Sequence, residues 1–205
     1  AGGAWAADPD VDQMTIRITP NVDYGIDLAT ATAQFDTGDP AGDLDVALSL
    51  NATNYFISPA SVTILGNFSN QEVKVTAAGL DTWTVDTDET IESDKVQLYA
   101  LFALAKSSRP LESEFGQGAD GRHQIMFGAA DKIAGEPNGA SENNDLTGNV
   151  FELPSATMTS GVEMDNLQIN TLRQMWLRLD TPSLTTVDAA QQIQVTVTAV
   201  TGTTN

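Results

Sequence analysis

The sequence predicts an all-β protein: an antiparallel β-sandwich, immunoglobulin-like or jelly-roll-like, with a long loop-rich insertion. Three observations carry this. Apolar residues recur with a period of two in short runs. Turn-forming Gly, Pro, Asn and Asp separate those runs at roughly even spacing. No run of helical period and length competes with them.

Taken in order, residues 1–12 read as a flexible tail, small and polar apart from Trp5, and residues 13–205 as one domain. "MTIRIT" alternates, with Met14, Ile16 and Ile18 on one side and Thr15, Arg17 and Thr19 on the other, which predicts a half-buried strand. "VDYGIDL" repeats this through Val22, Tyr24, Ile26 and Leu28, and "LDVALSL" through Leu44, Val46, Leu48 and Leu50. "SVTIL", "EVKVTA" and "TWTV" supply further short strands. "VQLYALFALA" is apolar on both faces and reads as a central, doubly covered strand. A buried helix is the competing reading, and Tyr99 and Phe102 weigh against it. From Lys106 to about residue 150 the pattern dissolves into turn-rich sequence, predicted to pack as an insertion with a short helix near Glu112 to Phe115. Strands return at Arg173 to Asp180, where Met175, Leu177 and Leu179 alternate with Trp176 and Arg178. After a bend at Thr181-Pro182, Ile193, Val195 and Val197 alternate with Gln194, Thr196 and Thr198.

Composition narrows the function. A chain of 205 residues buries a core without staples, and with no Cys there is neither disulfide nor thiol chemistry. Nine Lys and Arg against 28 Asp and Glu give a net charge of −19. Phosphate backbones and anionic membrane surfaces are repelled by such a chain, which argues against nucleic-acid and membrane partners. The longest nearly apolar run, Val96 to Ala105, is too short to cross a bilayer as a helix. Abundant Thr, Asn, Asp, Ser and Gly with scarce Lys is the style of secreted β-proteins. The opening Ala1-Gly2-Gly3-Ala4 is read as the start of a mature extracellular chain after signal-peptide removal.

Catalytic motifs are weak. Gly116, Gly118 and Gly121 match G-x-G-x-x-G, but no strand-to-helix turn surrounds them. His123 is the only histidine and has no nucleophile elbow to serve. With so many acids, carboxylate pairs arise by chance. The sequence therefore predicts no enzyme. The acidic runs carry more. Asp8, Asp10 and Asp12 alternate, Asp36, Asp39, Asp43 and Asp45 gather around Gly38 and Gly42, and Asp86, Asp88, Glu89, Glu92 and Asp94 form a third cluster. Calcium takes several oxygens from flexible loops, so calcium is the expected cofactor, and Asp36, Asp39, Asp43 and Asp45 are the first-choice ligands. The competing reading is solvated acidic loops that aid solubility. Five basic residues, Lys95, Lys106, Arg109, Arg122 and Lys132, lie in or just before the insertion. They suit either one half of a subunit contact or ordinary surface charge.

Two stretches, "DKVQLYALFALAKSSRPLESEF" and "QMWLRLDTPSLTTVDAAQQIQVTVTAV", resemble secreted β-sandwich surface proteins of environmental Gram-negative bacteria. The matching positions are Trp83, Leu98 to Phe102, Trp176 to Pro182 and Ile193 to Ala199, together about a third of the chain. The resemblance implies cell-envelope or extracellular-appendage material and transfers no ligand residues.

These readings converge on a self-assembling extracellular subunit of a filament, tubule or surface layer, whose partner is further copies of itself. Strand addition at an unpaired sheet edge is the physical route, with Met14, Ile16 and Ile18 as the candidate donor. The alternative is a secreted carbohydrate- or ligand-binding module using an aromatic platform drawn from Trp5, Trp83, Trp176, Tyr24, Tyr55 and Tyr99.

Overall fold

The computed structural model describes residues 14, 16–86, 90–104, 107–115 and 167–201. The tail at 1–12, Asp8, Asp10, Asp12, Asp88, Glu89, the glycine motif, His123 and most of the insertion lie outside the described residues. The described chain is all-β, with nine strands and one turn of 3-10 helix at Glu112–Phe115, where the sequence places a short helix.

Most strands meet at β8 (Leu172–Asp180). β7 (Lys95–Ala103) pairs antiparallel with it from Gln97 opposite Asp180 to Ala103 opposite Gln174. β3 (Thr53–Ser58) and β4 (Ala60–Gly66) pair with those same β8 residues, Tyr55 with Arg178 and Ala60 with Met175. A strand residue has one partner on each edge, so β3 and β4 together occupy the edge opposite β7. Between the two ladders Phe56 to Pro59 face only Trp176 and Leu177, and the chain bulges there. Pro59 lacks an amide and suits this break. β1 (Tyr24–Ala29) adds to β4, β2 (Gln34–Phe35) adds to β3, and β6 (Thr84–Val85) adds to β7 as the single parallel pair.

A second sheet contains β5 (Gln71–Gly79) and β9 (Ile193–Thr201), antiparallel over their full length. Val73, Val75 and Ala77 of β5 are buried, and opposite them Ala199, Val197 and Val195 of β9 turn to the same side. These residues join one apolar cluster with Val62 and Ile64 of β4, Val96 to Ala103 of β7 and Trp176 of β8. The two sheets therefore share one core. Gln71 is buried at their junction. Its amide donates to the carbonyls of Leu65 and Phe68, both at 2.7 Å, and its oxygen accepts from the Gly25 amide at 3.3 Å. Gly66 ends β4 with φ +89°, and a Cβ there would lie 2.2 Å from the Asp23 carbonyl oxygen. Glycine is required at that turn.

β7 is buried from Val96 to Ala103, which settles the strand reading over the helix. β8 departs from its predicted pattern. Its alternation suggests one buried face, yet Met175 to Arg178 and Asp180 are all buried. On its second face Arg178 and Asp180 pair with each other, while the Trp176 indole nitrogen and one terminal nitrogen of Arg178 are buried with no hydrogen-bond partner among the described residues. Arg178 donates from Nε to Asp180 Oδ1 at 3.0 Å and from a terminal nitrogen to Oδ2 at 2.5 Å, two residues along the same face. Its guanidinium also lies 4.6 Å from the centre of the Tyr99 ring.

Three other readings are corrected. β3, with its Tyr55-Phe56-Ile57 run, is a strand that periodicity alone does not single out, because it is apolar on successive residues. "LDVALSL" is extended but joins no ladder. "MTIRIT" is not a strand either: Met14, Ile16 and Ile18 are 82%, 68% and 81% exposed. An alternating pattern specifies which side chains want one face, but it does not supply a ladder partner.

Breaking the buried pair while keeping its shape isolates its role. Asp180→Asn leaves Arg178 with only the more distant, exposed Glu112 carboxylate at 3.9 Å and is expected to cost about 3 kcal/mol in denaturant unfolding, the low end of the penalty for stripping one partner from a buried ion pair.

Candidate functional site

Among the described residues β9 pairs on one side only. Its register continues one step past the strand ends, where the Leu80 amide donates to the Gln192 carbonyl at 2.9 Å. In an antiparallel ladder bonded and non-bonded positions alternate. Gln194, Thr196 and Thr198 therefore direct their backbone groups at β5. Ile193, Val195 and Val197, whose side chains turn to the core, direct theirs away from it. Among the described residues no ladder meets that edge.

An apolar cavity of about 330 Å³ opens beside the same stretch. Leu98, Leu177 and Leu179 of the large sheet and Ile193 and Val195 of β9 line it. Leu44, Asp45, Val46 and Leu48 of "LDVALSL" also line it. Its lining includes Ile193 and Val195 of β9 and no residue of β5. With water taking up ~30 Å³ per molecule, the groove holds a few apolar side chains.

The rim is built by polar bonds between distant segments. Gly79 permits close approach of the following turn, since a Cβ there would sit 1.7 Å from the Trp83 carbonyl oxygen. Gln191 Oε1 accepts from the amides of Thr82 and Trp83 at 2.9 and 3.0 Å, and Asp81 accepts from the Gln192 amide at 3.0 Å. Trp83 lines the groove and donates its indole N–H to Thr185 Oγ1 at 2.9 Å. Asp94 closes the network. Its carboxylate accepts from the Thr186 hydroxyl at 2.6 Å, the Thr186 amide at 2.8 Å and the Thr185 hydroxyl at 2.9 Å. Those bonds, led by the Thr186 hydroxyl, hold its carboxyl below the usual carboxylate range.

The predicted calcium ligands sit beside this groove without converging. Asp36 accepts from the Tyr55 amide at 3.2 Å, Asp39 from the Thr37 hydroxyl at 2.7 Å, and Asp43 from the Asp45 amide at 3.0 Å. Asp45 lines the groove. Gly38 and Gly42 take positive φ, as a tight turn requires. Among the described residues no three acidic or histidine side chains gather as a metal site. In the third acidic cluster Lys95 pairs with Glu92 and lies 3.7 Å from Asp86.

The aromatic candidates are used internally. Trp176, Tyr55 and Tyr99 are buried, and Tyr24 packs edge-on against Phe68 at 5.3 Å. Tyr55 lies under the Arg109 guanidinium at 4.1 Å, and burial raises its hydroxyl pKa. The described aromatics form no exposed platform.

The donor candidate leaves the fold at a defined point. Asn67 Oδ1 accepts from the Asp23 amide at 2.7 Å and its amide donates to the Asn21 carbonyl at 3.1 Å. These bonds pin the entry to β1 against the β4–β5 turn, and Met14 to Ile18 lie exposed ahead of it. Residue type and alternation single out the donor candidate. The open edge and the groove have no local signal, because they arise from what β9 does not pair with.

No known family model matches the chain, and no curated protein matches it.

A depressed carboxylate stabilises the fold above its ordinary titration range and loses that contribution as pH falls through its lowered pKa. Thermal unfolding followed from neutral to strongly acidic pH is therefore expected to show a falling midpoint, part of which Asp94→Asn removes. An identical pH profile in the variant would exclude Asp94 as a source.

Proposed function

We propose that this chain is a structural, non-catalytic subunit of a self-assembling extracellular filament, tubule or surface layer, joined by β-strand addition between copies. One observation carries the reading: Met14, Ile16 and Ile18 form an alternating apolar stripe that belongs to no strand and stands exposed. Burying a side chain of this size contributes about 1.5–3 kcal/mol. Three in a row supply a gross driving force that survives part of the ordering cost of association. Main-chain hydrogen bonds to an open sheet edge add affinity, and alternate side chains add register. A subunit that donates at one end and accepts at another repeats head to tail and forms an open polymer.

The charge of −19 opposes such packing. Calcium or another divalent cation between subunits offsets it, and in this proposal the acidic turn at Asp36 to Asp45 meets cations at contacts rather than in a closed site.

Negative-stain electron microscopy of native material is expected to show regular filaments, tubes or sheets that loosen with a calcium chelator. Deleting residues 1–20 is expected to abolish them while leaving a folded monomer by circular dichroism. Dispersed monomers of the intact chain, with or without calcium, would overturn the assembly reading.

A further inference from the structure

We infer that the acceptor for the donor segment is the unpaired edge of β9 from Ile193 to Val197, and that the occupant of the adjoining groove is Met14 to Ile18 of a second copy. This rests on the assembly reading and adds the site to it. Three features agree. The backbone groups of Ile193, Val195 and Val197 point away from β5 at the spacing an added strand needs. A strand on that edge turns every second side chain to the same side as Ile193 and Val195, which line the apolar groove together with Leu44, Val46 and Leu48. Met14, Ile16 and Ile18 have that period, and their own chain leaves them exposed.

Charge agrees as well. The donor run "MTIRITP" carries one cation, Arg17, and no acid. Arg17 lies on the face opposite Met14, Ile16 and Ile18, so it stays outside the groove when they enter. The acceptor's near rim is acidic, with Asp45 in the lining and Asp81 bonded at the start of β9. β1 also comes near β9 in space, but no ladder joins them. An incoming strand therefore displaces no backbone bond.

The absence of native Cys makes a direct test clean. Chains carrying Ile16→Cys are mixed with chains carrying Val195→Cys, allowed to assemble and oxidised. In a hydrogen-bonded antiparallel pair opposing Cα atoms lie about 5.5 Å apart, within the span of a disulfide. A covalent heterodimer on non-reducing gels, absent from either chain alone, is expected. A second variant, Val197→Pro, removes an amide aimed at the open edge and none aimed at β5. It is expected to keep a cooperative melting transition, with a midpoint lowered by the lost packing of Val197 against the core, and to lose polymers, whereas Thr196→Pro, which breaks the β5 ladder, loses the fold. Polymers that form without the cross-link, or that persist in Val197→Pro, would overturn the β9 acceptor while leaving assembly itself intact. A disulfide that closes within a doubly substituted monomer at high dilution would show that the segment folds back on its own chain, and would overturn exchange between copies.

Discussion

Everything in this fold leans on β8, a strand paired along both edges and buried on both faces. Such a position normally demands a continuous apolar run. β8 instead carries Arg178 and Asp180, and tolerates them because the two side chains lie on one face and satisfy each other by a bidentate bond. Tyr99 of β7 stacks on the guanidinium, and Glu112 approaches it from the 3-10 turn. Thr181, next in the chain, donates its hydroxyl to the Ser49 carbonyl at 2.7 Å and accepts from the Ala52 amide at 2.9 Å, so the end of β8 is tied to the start of β3. A polar device in the centre of the sheet thus aligns both neighbours at once.

Saturating β8 has a consequence at the other side of the core. The large sheet takes most of the strands, and the second sheet is left with two. Beside those two strands lies the segment Leu44 to Leu48, which joins no ladder and whose apolar side chains line the groove. A groove and an open edge lie side by side as a result. Proteins usually blunt such edges with charge, proline or bulges. On β9 the exposed face is Gln and Thr, which solvates the sheet but leaves the edge itself competent to pair. In the proposed assembly the high negative charge opposes association until counter-ions screen or offset it.

Much of the architecture was legible in the residues. β1, β4, β5, β7 and β9 show as alternating or continuous apolar runs, because a ladder's side-chain period is imposed directly on the sequence. β3 was not, since Tyr55 and Phe56 are buried on successive positions where the chain bulges at Pro59. The short β6 was legible only as part of a longer run, and its parallel pairing with β7 was not legible at all. For the site, the exposed stripe of Met14, Ile16 and Ile18 was visible, and the aspartates were visible as a cluster. That those aspartates accept from neighbouring amides and hydroxyls, rather than turn toward one point, depends on turn geometry at Gly38 and Gly42.

The sequence by itself determined the class, the charge and the side-chain facing of each extended run, because period and composition are local properties. Only the tertiary structure decided which runs become strands. Met14 to Ile18 and Leu44 to Leu48 alternate in sequence as β9 does, yet neither has a ladder partner among the described residues. Pairing is a property of two segments and the space between them, and that space is set by how β8 gathers the rest of the sheet.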